Sequence, residues 1–251
     1  MSDPQAPADP AGSDAGGFRA PTIFVRHARD ATPFGPRPDP GRRRLLGLGL
    51  LAGGGCALSR VGVATTAVLQ PTPALTAGPF YPRTHLPEVD ADLGQLDGHA
   101  RRALGEPFVL DLLVLDARGR PLPAVAVELW QANAGGRYAH PSDTDASGPL
   151  DPDFQGYARL VTDAEGRLRV RSVLPGAYGD GGFRRTPHLH LIFRGTGTQL
   201  TTQMFFPDQP LNAGDFIYRR LSPAAQRAAT ARALPAGDGV RGFGWDVVLP
   251  G

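Results

Sequence analysis

Cysteine is nearly missing from this chain: Cys56 is the single one among 251 residues. One thiol cannot build an intramolecular disulfide framework, nor a thiolate-rich zinc or iron–sulfur site. Any metal must therefore rely on His, Tyr or carboxylate side chains. Charge is nearly balanced as well, at +2, and no basic stripe interleaved with aromatics runs along the chain, which argues against a nucleic-acid partner. There is no Gly-x-Ser-x-Gly elbow, no P-loop and no His-Glu-x-x-His helix. The apolar run from Leu45 to Leu58 is too short for a comfortable membrane span, and Arg60 closes it. No stable span is expected after processing.

Gly (33) and Pro (26) are frequent, which favours many turns and little long helix. Hydrophobic residues at 41% suffice for one substantial domain with appendages. Residues 1–41, rich in Pro, Gly, Ala and Asp, cannot bury enough surface to offset chain entropy and are expected to be disordered. Residues 42–64 open with Arg42-Arg43-Arg44-Leu45-Leu46 and continue as a short, Gly-softened apolar run. That is the shape of an export signal, and the arginine pair beside a leucine pair resembles a twin-arginine signal. A basic tail followed by a weak helix is the alternative. Gly53 stands where a lipobox has a large aliphatic residue, so Cys56 is expected as a bystander rather than a lipid anchor. The mature protein is expected in the periplasm or outside the cell, with 65–75 as a linker.

From Thr76 onward the pattern is all-β. Phe108–Asp116 is mostly apolar; Val125–Trp130 alternates, as a half-buried strand does. Tyr157–Thr162, the turn Asp163–Gly166 and Leu168–Leu174 form a hairpin pattern. His188–Phe193, Leu200–Phe206 and Trp245–Leu249 supply further strands. Only Pro223–Leu234 has helical character, with Ser222 as N-cap and Pro223 at the first position. Short, regularly spaced strands with long loops and one short C-terminal helix predict a β-sandwich.

His188-Leu189-His190 carries the clearest chemical signal. The side-chain period of a strand is two, so both imidazoles project from one face and a single metal can take both. Two histidines decorating a surface strand would show the same spacing. Two tyrosines sit in turn-rich segments: Tyr138 after Asn133-Ala134-Gly135-Gly136-Arg137, and Tyr178 within Pro175-Gly176-Ala177-Tyr178-Gly179. Either could be a rim aromatic with its hydroxyl in water. As a pair with two imidazoles, hard phenolate oxygens suit ferric iron better than zinc or a soft metal.

These segments together resemble the intradiol ring-cleavage dioxygenases, nearest to the iron-binding beta subunit of the protocatechuate branch. Leu129–Tyr138 resembles the first ligand segment, Pro175–Tyr178 the second and Arg185–His190 the third. Thr76–Pro82 resembles the opening motif of these domains, and Thr202–Phe206 the strand behind the site. The resemblance spans about Thr76 to Arg219. It implies non-haem Fe(III) held by Tyr138, Tyr178, His188 and His190, with a small-molecule catechol and O2 as substrates. It implies that Tyr178 leaves the metal and accepts a proton as the catechol binds. Attack of the ring on oxygen, acyl migration and hydrolysis of a cyclic anhydride would then give a muconate-type diacid. Arg185 would stabilise charge developing on the ring, Gln203 would hydrogen-bond near the iron ligands and Tyr81 would line the pocket.

One departure concerns the residues after Tyr178. The protocatechuate branch carries an aromatic there that packs on the substrate, whereas this chain has Gly179-Asp180-Gly181-Gly182. The N-terminal helical dimerisation domain of the catechol branch has no counterpart in the sequence. A complete ligand set in one chain requires no second subunit for iron and leaves a homo-oligomer open. The rival reading is a non-catalytic prealbumin-like β-sandwich of a secreted protein, which Arg120–Leu129, Thr162–Leu168 and Leu174–Tyr178 also resemble. Tyr138, His188 and His190 separate the two, because a binding module has no use for them.

Overall fold

A computed structural model of the chain describes residues 68–82, 88–144, 148–179 and 183–251. The expected disordered extension and the expected export signal with Cys56 lie outside these residues. In order along the chain come β1 (Pro107–Leu115), β2 (Ala126–Trp130), β3 (Tyr157–Val161), β4 (Arg167–Val173), β5 (His188–Gly195), β6 (Thr198–Phe205), α1 (Pro223–Ala229), β7 (Arg232–Gly237) and β8 (Val240–Val248). Two four-stranded sheets result, ordered β4-β1-β8-β7 and β3-β2-β5-β6. Neighbours are antiparallel except β1 and β8, which run parallel. Among the described residues the fold is all-β with one short α-helix.

Alternation along the strands builds the core between the sheets. Phe108, Leu110, Leu112 and Val114 of β1 point inward, and so do Phe243, Trp245 and Val247 of β8. They meet Val127 and Leu129 of β2 and Leu189, Leu191 and Phe193 of β5. Full burial of each such side chain contributes roughly 1.5–3 kcal/mol relative to leaving it in water. The leucine flanking each imidazole of β5 thus anchors the strand, as its spacing predicts.

The helix expected over Pro223–Leu234 stops at Ala229. Ser222 accepts a hydrogen bond from the Ala225 N–H and Pro223 starts the first turn, as the N-terminal signals indicate. At the other end Thr230 turns extended (φ −106°, ψ 127°). The Ala231 N–H then donates to the Phe205 carbonyl at 2.9 Å, and Arg232 onward pairs with β8 as β7. The sheet edge supplies partners that override the helical tendency of an Ala-rich run.

Residues 69–75, read from sequence as a linker, run along both sheets. Leu69 donates to Ala117, Thr72 to Val248 and Leu75 to Thr201, while the Val248 N–H bonds the Thr72 hydroxyl. The strap then continues through Thr76–Pro82 over the outer face of the second sheet, where Gln203 reaches the Thr76 carbonyl at 2.8 Å. Among the described residues, no helix is long and apolar enough to cross a membrane.

Candidate metal centre

At its centre the second sheet is buried on both faces, and the outer one carries the polar residues. Antiparallel register places Trp130, His190 and Gln203 side by side across β2, β5 and β6, with His188 opposite Phe205 one step along. His188 and His190 are each only 1% exposed, so the imidazole face is covered by loops rather than displayed to water. The indole of Trp130 stacks on the His190 ring (5.0 Å, 8° between planes), which fixes its orientation. Gly78 of the strap sits on the opposite side. A Cβ there would lie 3.1 Å from His190 Cε1, and its φ of +67° favours glycine anyway.

Two loops bring the tyrosines to this face. After β2, the Asn133 carboxamide oxygen accepts from the Gly135 and Arg137 N–H groups and curls the chain back. The Tyr138 N–H then donates to Asp143 at 2.7 Å. Past β4, the Gly176 N–H donates to the Asn133 carbonyl at 2.9 Å, locking one loop to the other. The backbones touch at two glycines: a Cβ on Gly176 would lie 2.4 Å from the Gly136 nitrogen, and one on Gly136 2.5 Å from the Ala177 oxygen. That close approach sets the Tyr138 and Tyr178 rings edge to face at 5.3 Å.

All four expected ligands therefore converge. His188 Nδ1 lies 2.6 Å from the Thr186 carbonyl, which can only accept, so Nδ1 carries the proton and the Nε2 lone pair faces the site. His188 Nε2 is 3.1 Å from His190 Nε2 and 3.4 Å from the Tyr178 hydroxyl. Burial, reinforced by the positive Arg185, pulls His188 down to about 3 despite the Thr186 carbonyl. Burial, then His188 and Arg185, hold His190 well below the ordinary imidazole value. Both rings are neutral at pH 7, as ligation requires. Burial drives the Tyr138 phenol well above its usual value, with Tyr178 beside it adding to the effect. The Tyr178 phenol is also raised by burial, and Arg185 opposes that rise.

The donor set fits a hard trivalent cation. The Tyr138 hydroxyl is buried and makes no hydrogen bond, an arrangement that ordinarily costs about 1–3 kcal/mol. A phenolate oxygen on a metal has no such deficit. Among the described residues, no three His, Cys, Asp or Glu side chains cluster as ligands. A cation here would thus be held by phenol oxygens together with the two imidazoles.

Arg185 and Gln203 are joined beside this set. The Arg185 Nη2 donates to the Gln203 carboxamide oxygen at 2.6 Å, and Nη1 lies 3.5 Å from the Tyr178 hydroxyl. The Tyr178 and Arg185 backbones pair as an isolated antiparallel bridge. Tyr81 is placed differently. Its hydroxyl donates to Glu128, and its ring meets Trp130 edge-on at 5.1 Å, on a neighbouring part of the same sheet face. Tyr157 donates to the same carboxylate at 2.7 Å, and Arg194 pairs with its other oxygen.

Sequence reasoning missed two neighbours. Phe80, not Tyr81, packs on Tyr138 (4.7 Å) and faces Tyr178 (6.0 Å), closing the site to water. Its only sequence signal is its place in the opening motif. Asp215, wholly buried, takes Arg185 Nε–H at 2.8 Å; thirty residues separate the pair, so no local pattern announces it.

A dioxygenase family model matches residues 76–251. With the geometry above, this places the chain in the intradiol ring-cleavage dioxygenase family, whose members are oxidoreductases. Among relatives, it is 39% identical over 182 residues to the protocatechuate 3,4-dioxygenase beta chain of Burkholderia cepacia, covering 69% of this chain and 77% of that one. It is 33% identical over 129 residues to a catechol 1,2-dioxygenase of Acinetobacter baylyi, covering 45% of this chain and 40% of that protein's length. Among solved structures, the dioxygenase domain of a dioxygenase–carbohydrate-binding fusion from Streptomyces sp. SirexAA-E superposes with a TM-score of 0.54 at 27% identity. That match covers 72% of this chain and 99% of the other.

Proposed function

We propose that the chain is a non-haem ferric enzyme that opens a catechol-type ring between its two hydroxylated carbons with O2, giving a muconate-type dicarboxylate. The observation that carries this reading is the buried Tyr138 hydroxyl without a partner, facing two neutral imidazoles whose Nε2 atoms converge. Tyr138, Tyr178, His188 and His190 would hold the iron. When bound there, ferric iron would supply Lewis acidity toward a catechol-type substrate.

The chain's own groups do the rest. Tyr178 Oη would take a proton from an incoming catechol hydroxyl once metal binding has made it a phenolate; burial alone raises its pKa, and Arg185 beside it opposes that rise. Arg185 itself faces the site as a fixed cation and would stabilise charge developing on the ring, an effect worth up to about 3–4 kcal/mol in a dry site. Gln203 holds the guanidinium from one side and the strap from the other. Phe80 excludes water. The two-sheet architecture is read as prealbumin-like; a non-catalytic module of that kind would leave the Tyr138 hydroxyl without a purpose.

The names of the relatives span protocatechuate, catechol and hydroxyquinol, so the substrate is assigned only to that class. Export through residues 42–64 is proposed as well, and it rests on the sequence pattern alone. The test is the visible spectrum of the iron-loaded protein in air, then with catechol in the absence of oxygen. Tyrosinate-to-ferric charge transfer should give a red band that moves to longer wavelength on catecholate binding. A colourless iron-loaded sample would overturn the ligand assignment.

A further inference from the structure

Asp215 has no place in the reading above, yet it is the most completely enclosed carboxylate near the site, with 0% of its surface exposed. It lies in the loop after β6, between two short 3-10 turns (Asn212–Gly214 and Tyr218–Arg220). Both of its oxygens are used. Oδ2 accepts from Arg185 Nε–H at 2.8 Å and from the Thr186 N–H at 3.1 Å. Oδ1 accepts from the Ile217 and Tyr218 N–H groups at 2.9 and 3.0 Å. Such full satisfaction is what offsets the loss of water around a buried carboxylate.

The guanidinium it grips is held on every side. Gln203 takes Nη2, and the Phe216 ring lies 5.2 Å from the guanidinium carbon. Only Nη1 is left for the site, 3.5 Å from Tyr178 Oη. An arginine side chain loses considerable rotamer freedom when fixed, and a cation held before substrate arrives needs no reorganisation during reaction. The same Oδ2 also bonds the Thr186 N–H, and the Thr186 carbonyl sets the His188 tautomer.

We propose that Asp215 is a positioning residue that aims the Arg185 guanidinium at the reacting ring, so that the charge-stabilising group is the Asp215–Arg185 pair. This rests on the proposed dioxygenase reading and deepens it. An Asp215→Asn substitution keeps the shape but turns an acceptor into a donor facing Arg185. It should lower kcat on catechol by roughly 10–100-fold, a misaimed donor in a preorganised site. KM and the catecholate-shifted charge-transfer band, measured without oxygen, should stay close to wild type. Thr162→Val, which removes a hydroxyl bonded to Val125 and Leu122 far from the site, should lower the melting temperature and leave kcat unchanged.

The Arg185→Gln background decides the point even where Asp215→Asn alone folds poorly. Adding Asp215→Asn to Arg185→Gln removes a buried carboxylate that has lost its cation, so the double variant should melt higher than Arg185→Gln. Its kcat should be no lower, because Asp215 has nothing left to aim. A further fall in kcat in the double variant, or an unchanged kcat in Asp215→Asn, would overturn the proposal. Loss of activity in the wild type itself would instead remove the dioxygenase reading beneath it.

Discussion

At the centre of the second sheet the two faces are equally dry and differ completely in how they are stabilised. Toward the first sheet, Val127, Leu129, Leu189, Leu191 and Met204 pack with no polar atoms to satisfy. On the outer face, Glu128, His188, His190 and Gln203 are buried just as deeply. Each needs a partner, and most have one: Glu128 has two phenols and an arginine, and Gln203 has Arg185 and the strap. Over the imidazoles the Tyr138 hydroxyl has none, and neither has the Trp130 indole N–H beside them. Burial alone distinguishes nothing here; the unmet polar atoms gather around the imidazoles, and that is where chemistry is expected.

The comparison breaks most visibly on the apolar face. Leu191→Ala should destabilise the fold by about 2–5 kcal/mol through lost burial and a residual cavity. Chemical denaturation should register that cost, while iron content per folded molecule stays unchanged. If iron content falls in proportion, the two faces are not independent.

A smaller effect is expected where the two ligand loops touch. Gly176→Ala places a methyl against Gly136 and the Ala134 carbonyl. Relief of that overlap should cost about 1–3 kcal/mol and separate Tyr138 from Tyr178. Unlike the leucine variant, it should also weaken the red band of the iron-loaded protein. A folded variant with full band intensity would show that the loop contact does not set the tyrosine spacing.

Smaller still is the change at Glu128. Burial pushes its carboxyl up, but hydrogen bonds from Tyr81, Tyr157 and Arg194 together hold it below the usual value. A carboxyl depressed in the folded state adds stability above its unfolded value, about 4.3, and that contribution is lost as pH falls through the folded value. Glu128→Gln should therefore cost about 1–2 kcal/mol at neutral pH. It should also flatten the acid side of the stability profile below the ordinary carboxylate range. A profile parallel to wild type there would contradict the assigned state of Glu128.

Much of this was legible in the chain. Period-two alternation located most of the strands within a few residues, and His188-Leu189-His190 declared its shared face because strand geometry is local. The roof was not legible. Glu128 sits at an alternating position that reads as solvent-facing, and Tyr81 of the strap, Tyr157 and Arg194 close over it. Asp215 and Phe80 act across long separations that no spacing rule covers. The end of α1 and the start of β7 were missed because Thr230 and Ala231 answer to Phe205, a partner distant in sequence.

Tyr138→Phe asks whether the Tyr138 hydroxyl is there for a metal. Thermal melts of the metal-free protein, paired with the visible spectrum after iron loading, give both halves of the answer. Tyr138→Phe should melt higher than wild type without metal, by the equivalent of about 1 kcal/mol, because a buried unmet hydroxyl is gone. It should also lose much of the red band after loading. A variant that melts lower without metal and keeps the full band would mean the hydroxyl is structural, and the metal centre would have to be placed elsewhere.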